Sequence, residues 1–358
     1  MRSTVLRRAA VALAALPLAA LAACGGDSGS SATATAANPS ATAPELRLGY
    51  FANVTHAAAL IGVQQGYFAD ELGDTKLSTQ VFNAGPDEVE ALFAGGLDAA
   101  YIGPSPTINA YGQSDGDAIR IIAGAASGGA QLVVRDGIDS PQDLKGTTLA
   151  SPQLGNTQDV ALRTWLTKQG LKNSVDGGGD VTIAPTANAD VPNLFDSGEL
   201  DGAWVPEPTA SLLVLEHGGH VLIDEKDLWP NGQFVTTHLI VKQEFLKKYP
   251  ETVKKLLQGH LAAVKLIAAD SAGAQKAANE QIAALSGKPL KDEILASAFK
   301  NLSFTIDPIA SSLYTSAQHA QDVGLLKPVD LKGIYDLGPL NELLKADGQP
   351  AVSDAAAS

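Results

Sequence analysis

Short apolar runs alternate with amphipathic stretches through most of this chain. Residues 45–50 (ELRLGY), Leu77–Phe82 and Asp98–Ile102 predict strands. Between them, His56–Gln65 predicts a helix with Thr55 as its N-cap, and Pro86–Phe93 one that opens on proline and acidic residues. Ile119–Ala123 and Gln131–Val134 predict further strands, with Gly124–Ala130 as a turn between them. The alternation restarts after Asp143-Leu144-Lys145-Gly146. Strands are expected at Thr147–Ala150, Val181–Ala184, Ala203–Val205, Val221–Ile223 and Phe234–Val241, and helices at Thr157–Gln169, Asp190–Phe195 and Pro208–Glu216. Beyond them the pattern turns helical over Gln243–Lys248, Glu251–Ala269, Ala272–Leu285 and Lys291–Ala298. Short strands between helices indicate an α/β fold built on open sheets.

The first residues follow another pattern. Arg2, Arg7 and Arg8 precede fifteen uncharged residues at positions 9–23. That run is short for a membrane span and suits the apolar region of an export signal. It ends in Leu21-Ala22-Ala23-Cys24, which resembles the lipobox of bacterial lipoproteins, where the cysteine is acylated and becomes the mature N-terminus. Cys24 is the sole cysteine, so an exported chain has no disulfide to make with it. Residues 1–23 are therefore expected to be a signal peptide. Residues 24–43 are expected to be the lipid-attached cysteine and a small, polar, Gly/Ser-rich tether. A body of about 300 residues follows, which predicts two lobes, and residues 346–358 read as a second flexible tail.

Formal net charge is −14, and loss of the signal arginines makes it more negative. An acidic surface argues against nucleic acid and against lying flat on an anionic membrane.

One internal similarity sharpens the two-lobe reading. Leu92 to Pro104 (LFAGGLDAAYIGP) parallels Leu194 to Pro206 (LFDSGELDGAWVP) with one gap. In each, a helix ends at glycine, a Leu-Asp turn follows, and a short strand carries an aromatic and then a proline. The spacing of about 100 residues exceeds a solenoid unit and fits two similar lobes.

Ligands of open α/β sheets bind beyond the carboxyl ends of strands. Those ends carry Asn53, Thr55 and His56; Ser105 and Thr107; Gly128 and Gly129; Asn156, Thr157 and Gln158; and Trp204 and Glu207. Helix starts offer free N–H groups and the positive end of the dipole, so several converging starts bind an oxyanion without arginine. Each hydroxyl residue here either faces a ligand or merely caps its own helix. His56 is either a neutral donor or a packed residue.

The segments GYFANVTHAAALIGVQQGYF (49–68), GLDAAYIGPSPTINAY (96–111), DLKGTTLASPQLGNTQDVALRTWL (143–166) and DGAWVPEPTASLLV (201–214) resemble the substrate-binding proteins of ABC importers for aliphatic sulfonates, taurine and nitrate, the SsuA/TauA/NrtA-like or NMT1/THI5-like group. The resemblance implies a type II periplasmic-binding-protein fold closing on one small ligand. It places lobe 1 at 44–135 plus 236–345 and lobe 2 at 136–235, with crossings near Arg135–Ile138 and Gly232–Thr237. Carried onto this chain, Thr55, Ser105, Asn156, Thr157 and Gln158 would face a sulfonate and Trp204 would cover the organic tail. Glu207 would either order the Pro-Glu-Pro turn or accept from an ammonium. No Lys or Arg lies in these loops, which keeps nitrate behind organic ligands and leaves neutral or cationic heterocycles, such as thiamine-precursor pyrimidines, in play. The implied partners are a membrane permease and a separate ATPase subunit. The protein itself is expected to be a monomer without cofactor or chemistry, tethered outside the cytoplasm.

Other readings find less support. No GxSxG or GxxxxGK[ST] motif is present. His217-Gly218-Gly219-His220 reads as a surface turn, Trp165 as core, and Trp229 as packing beside the return crossing. An exported sensor or adhesion module is the remaining class.

Overall fold

The structure, a computed structural model, describes residues 41–355. The signal segment, Cys24 and most of the expected tether lie outside the described residues. Ala43, assigned above to the tether, is already part of the body. Its N–H donates to Thr252 Oγ1 (2.7 Å) and its carbonyl accepts from Thr75 Oγ1 (2.6 Å).

Two sheets organise the fold. Strands β1 (Glu45–Phe51), β2 (Lys76–Phe82), β3 (Ala99–Ile102) and β4 (Ile119–Gly128) begin the first. The second holds β5 (Ala130–Val134), β6 (Thr148–Ser151), β7 (Thr182–Pro185), β8 (Gly202–Pro206) and β9 (His220–Asp224). The chain then returns with β10 (Val235–Lys242) and β11 (Leu302–Phe304). The sheet orders are β11-β4-β10-β3-β1-β2 and β7-β6-β8-β5-β9. In both sheets the strand entered directly after the crossing, β5 or β10, runs antiparallel to its neighbours.

The first crossing lies earlier than expected. The run Ile119–Gly128 is one strand rather than a strand and a turn, and β5 pairs with β8 and β9. Residues 130–134 thus belong to lobe 2, and the chain changes sheets at Gly128-Gly129. Both glycines have left-handed backbone, φ +79° and +69°, which disfavours any side chain. A Cβ on Gly129 would also stand 2.4 Å from the Leu302 side chain. The chain returns through two 3-10 turns, Glu225–Leu228 and Pro230–Gly232, before entering β10.

The sequence repeat corresponds to equivalent positions in the two sheets. Asp98 and Asp201 each precede a central strand and each tie it to a parallel neighbour. The Asp98 carboxylate accepts from the Arg47 N–H (2.9 Å), and that of Asp201 from the Thr148 N–H (2.8 Å). An arginine flanks each, Arg47 and Arg135. The aromatic of each copy is fully buried with its polar tip satisfied: Tyr101 OH meets His260 Nδ1 (2.8 Å) and Trp204 Nε1 donates to Glu225 (2.7 Å).

Each sheet is covered on both faces, as parallel pairs flanked by helices require. In the second sheet Ala203 and Val205 enter one apolar cluster, while Trp204 enters the other with Trp165, Leu162 and Leu166. The segment after Gly338–Ala346 is also not a free tail. Both backbone groups of Val352 bond the Asn341 amide (2.9 and 3.0 Å), folding the chain back on the helix.

Candidate functional site

The carboxyl ends of β1, β2, β3 and β8 and the loops after β6 and β7 meet at a cavity of about 20 Å³ between the lobes. It is lined by Phe51, Asn53, Thr55, His56, Asn83, Gly103 and Thr236 from one lobe and Asn156, Thr157, Gln158, Asn188 and Pro206 from the other. None of these side chains carries a formal charge, apart from a histidine that is held neutral. The volume suits about one water molecule, so an organic ligand enters only as the lobes part.

Local hydrogen bonds fix which atoms the cavity presents. The Phe51 N–H donates to His56 Nδ1 (3.2 Å), and a backbone N–H has no other role. The imidazole proton is therefore on Nε2. Phe51 stacks on the ring at 4.3 Å, and burial pushes its pKa down to about 3. His56 is a neutral donor of fixed orientation.

The amides follow the same logic. Thr55 Oγ1 donates to Asn53 Oδ1 (2.7 Å), and the Thr157 N–H donates to Asn156 Oδ1 (2.9 Å). Each carbonyl is engaged within its own lobe, which leaves the NH₂ group of each asparagine as a donor. Thr157 Oγ1 is buried without a partner. The loop carrying Asn156 is itself held from below. Buried Asp159 accepts from Ser151 Oγ (2.8 Å), the Gly155 N–H (2.9 Å) and Arg163 Nε (3.0 Å). The Thr157–Lys168 helix then points its start into the cavity.

Of the residues expected at the site, the structure brings together Asn53, Thr55, His56, Asn156, Thr157 and Gln158. The others stand elsewhere. Ser105 is buried in the first turn of the Pro104–Gln113 helix, with its hydroxyl unpartnered. Thr107 bonds back to the Gly103 carbonyl (2.8 Å) within that turn. Gly128 and Gly129 form the crossing.

Trp204 does not cover a ligand tail. Its ring stands mid-strand in the core beside Trp165 (6.0 Å), two residues short of the carboxyl end of β8. Pro206, two residues on, is the residue of that strand that reaches the cavity. Glu207 is fully buried. It accepts from the Ser211 N–H (3.1 Å), Ser211 Oγ (3.0 Å) and Asn301 Nδ2 (2.6 Å), so it orders the turn and stands outside the cavity lining. Burial raises its pKa despite these bonds.

Sequence reasoning passed over Phe51, Asn83, Asn188 and Thr236, and it placed Gly103 and Pro206 at strand ends without choosing them as contacts. Asn83 and Asn188 follow β2 and β7, so the strand-end rule applied to every strand would have found them.

Residues 40–284 match the NMT1-like family. The chain belongs to that family. At the superfamily level it groups with the sulfonate-, taurine- and nitrate-binding SsuA/TauA/NrtA-like proteins, and its two sheet-containing lobes have the type II periplasmic-binding-protein architecture. A putative binding protein of Brucella abortus is 28% identical over 218 residues, 59% of this chain and 63% of the relative. The taurine-binding periplasmic protein of Escherichia coli is 30% identical over 190 residues, 52% of this chain and 56% of that protein. The chain thus spans somewhat over half the length of these relatives. The alkanesulfonate-binding protein SsuA from Xanthomonas axonopodis pv. citri, solved bound to MOPS, shares the fold with a TM-score of 0.67 at 21% identity. The match covers 81% of this chain and 96% of that one.

Proposed function

We propose that this NMT1-like family member is the solute-binding component of an ABC importer and that it captures a small organic anion, an aliphatic sulfonate or taurine. The observation that carries this reading is the set of hydrogen-bond donors that meet at the cavity without any carboxylate in its lining. His56 Nε2–H, the NH₂ groups of Asn53 and Asn156 and the start of the Thr157–Lys168 helix supply hydrogens, and no carboxylate lines the space. Such a lining suits an oxyanion whose charge is carried by dipoles rather than by a counter-ion. Contributions from both lobes mean that the ligand stabilises the closed form, which a permease can distinguish from the open one. The protein performs no chemistry in this scheme.

The names of the relatives support the sulfonate and taurine class, and Phe51 and Pro206 give a short organic tail its apolar contact. Lipid on Cys24 would hold the body at the outer face of a membrane beside a permease served by a separate ATPase subunit. Calorimetry with ethanesulfonate, longer alkanesulfonates, taurine, nitrate and a hydroxymethylpyrimidine tests the assignment. Heat from the short sulfonates is expected. Binding of the pyrimidine alone would move the ligand to another class, and silence from the whole panel would remove the solute-receptor reading.

A further inference from the structure

Away from the cavity, the far end of the Thr157–Lys168 helix makes a second contact between the lobes. Lys168 Nζ lies 3.0 Å from Nε2 of His319, on the lobe 1 helix Ala310–Asp322. An ammonium has only hydrogens to give, so His319 Nε2 accepts and the ring is neutral in this arrangement. The imidazole also packs on Trp229 (5.7 Å), which stacks on Phe234 (5.4 Å) at the end of the return crossing.

We propose that Lys168 and His319 form a proton-operated latch, in which protonation of His319 sets two cations against each other and loosens the closed lobes. The surrounding charges leave this repulsion largely unopposed. On its own helix His319 has Asp322, whose charge favours protonation. On the Thr157–Lys168 helix, Asp159 and Arg163 pair with each other. The Pro104–Gln113 helix, which also packs on the Ala310–Asp322 helix, has no charged side chain. In the Glu225–Leu228 turn, Lys226 pairs with Asp224, Asp227 is exposed, and Glu225 stands behind Trp229, accepting from its indole N–H (3.4 Å).

The sign follows from linkage. Burial, and then Lys168, lower the His319 pKa in the closed form. Opening removes both effects and returns the ring toward the free-histidine value of about 6.5. The open form therefore binds the proton more tightly, and acid favours opening. Lys168 is exposed, so the effect is modest, about two- to five-fold in the open–closed equilibrium.

The test is a histidine NMR titration of the full chain, with small-angle scattering between about pH 7.5 and 5.5. In the native chain His319 should titrate below a free histidine, and the radius of gyration should grow on acidification. Lys168→Met should raise the His319 pKa, and His319→Gln, which keeps an acceptor, should remove the growth. An unchanged His319 pKa in Lys168→Met, a radius insensitive to pH in the native chain, or the same growth in His319→Gln would each overturn the latch. Loss of the growth in Glu225→Gln alone would overturn it too, by assigning the response to that carboxyl. These readouts need no ligand. A ligand arm, which rests on the function proposed above, expects taurine or ethanesulfonate affinity to fall about two- to five-fold over the same range in the native chain only.

Discussion

Gly103 and Thr157 face each other across the closed cleft with no room for a methyl group between them. A Cβ built on Gly103 would stand 2.5 Å from Thr157 Oγ1 and 3.6 Å from Thr157 Cβ. Gly103 has ordinary extended backbone (φ −73°, ψ 162°), so its lack of a side chain serves the approach of the lobes and not a turn. Gly103→Ala should accordingly leave the melting temperature near that of the native chain while obstructing closure by about 1–3 kcal/mol. Calorimetry should show a comparable loss of ligand affinity, and adding Thr157→Ala, which deletes the obstructing oxygen, should recover part of it in a double-mutant cycle.

His56 should behave as a donor at every physiological pH. Its pKa of about 3 lies far below the range, so ligand affinity should carry no histidine-like step from this residue between about pH 5 and 8. His56→Gln keeps an N–H donor and should bind more tightly than His56→Leu. The leucine variant should lose about 1–3 kcal/mol, the worth of a hydrogen bond to a charged group. A titration step that vanishes in His56→Gln would show that the ring ionises after all.

Trp204 should matter for stability rather than for binding. Trp204→Phe removes the donor that Glu225 accepts at 2.7 Å and leaves a buried carboxyl short of a partner. The expected cost is about 1–3 kcal/mol in denaturant unfolding, with ligand affinity unchanged. Weakened affinity at native stability would return Trp204 to the cleft.

Glu225 predicts a pH signature of folding. Burial, opposed by its bonds to Trp204 and Trp229, raises its pKa from 4.5 to about 7. Between those values the folded state holds a proton that the unfolded state has released. Stability from this residue is therefore present at the acid end and is lost as pH rises toward 7, by at most about 1.4 kcal/mol per pH unit. Unfolding midpoints of Glu225→Gln should lack that slope.

Cys24→Ala should release the protein from membranes into the soluble fraction of cells, because a single thiol carries the expected lipid. Continued anchoring, seen by fractionation, would remove the lipoprotein reading.

Much of the fold was legible because the chain repeats one local pattern. The strand-helix alternation and the Leu-Asp turns at Asp98 and Asp201 announce two similar sheets, and each Asp does the same thing in its own sheet. The crossing was misplaced because an apolar run does not say which sheet it joins. Ile119–Gly128 and Ala130–Val134 look alike as sequence, and only hydrogen-bond partners separate them. The site was half legible for a similar reason. Asn53, His56, Asn156 and Thr157 sit at strand ends and helix starts, which periodicity locates. Trp204 was read as a strand end, but it lies in mid-strand, two residues before the end that Pro206 brings to the cavity.

The sequence by itself determined the α/β architecture, the strand ends that hold the cavity and the export pattern ending at Cys24, because each is written in neighbouring residues. Tertiary structure alone decided what depends on distant partners. It gave Trp204 to Glu225 and Glu207 to Asn301, fixed the His56 proton on Nε2 through the Phe51 N–H, and brought Lys168 to His319 across the cleft. Side-chain direction and proton position are set by what a group meets in space, and linear order does not carry that information.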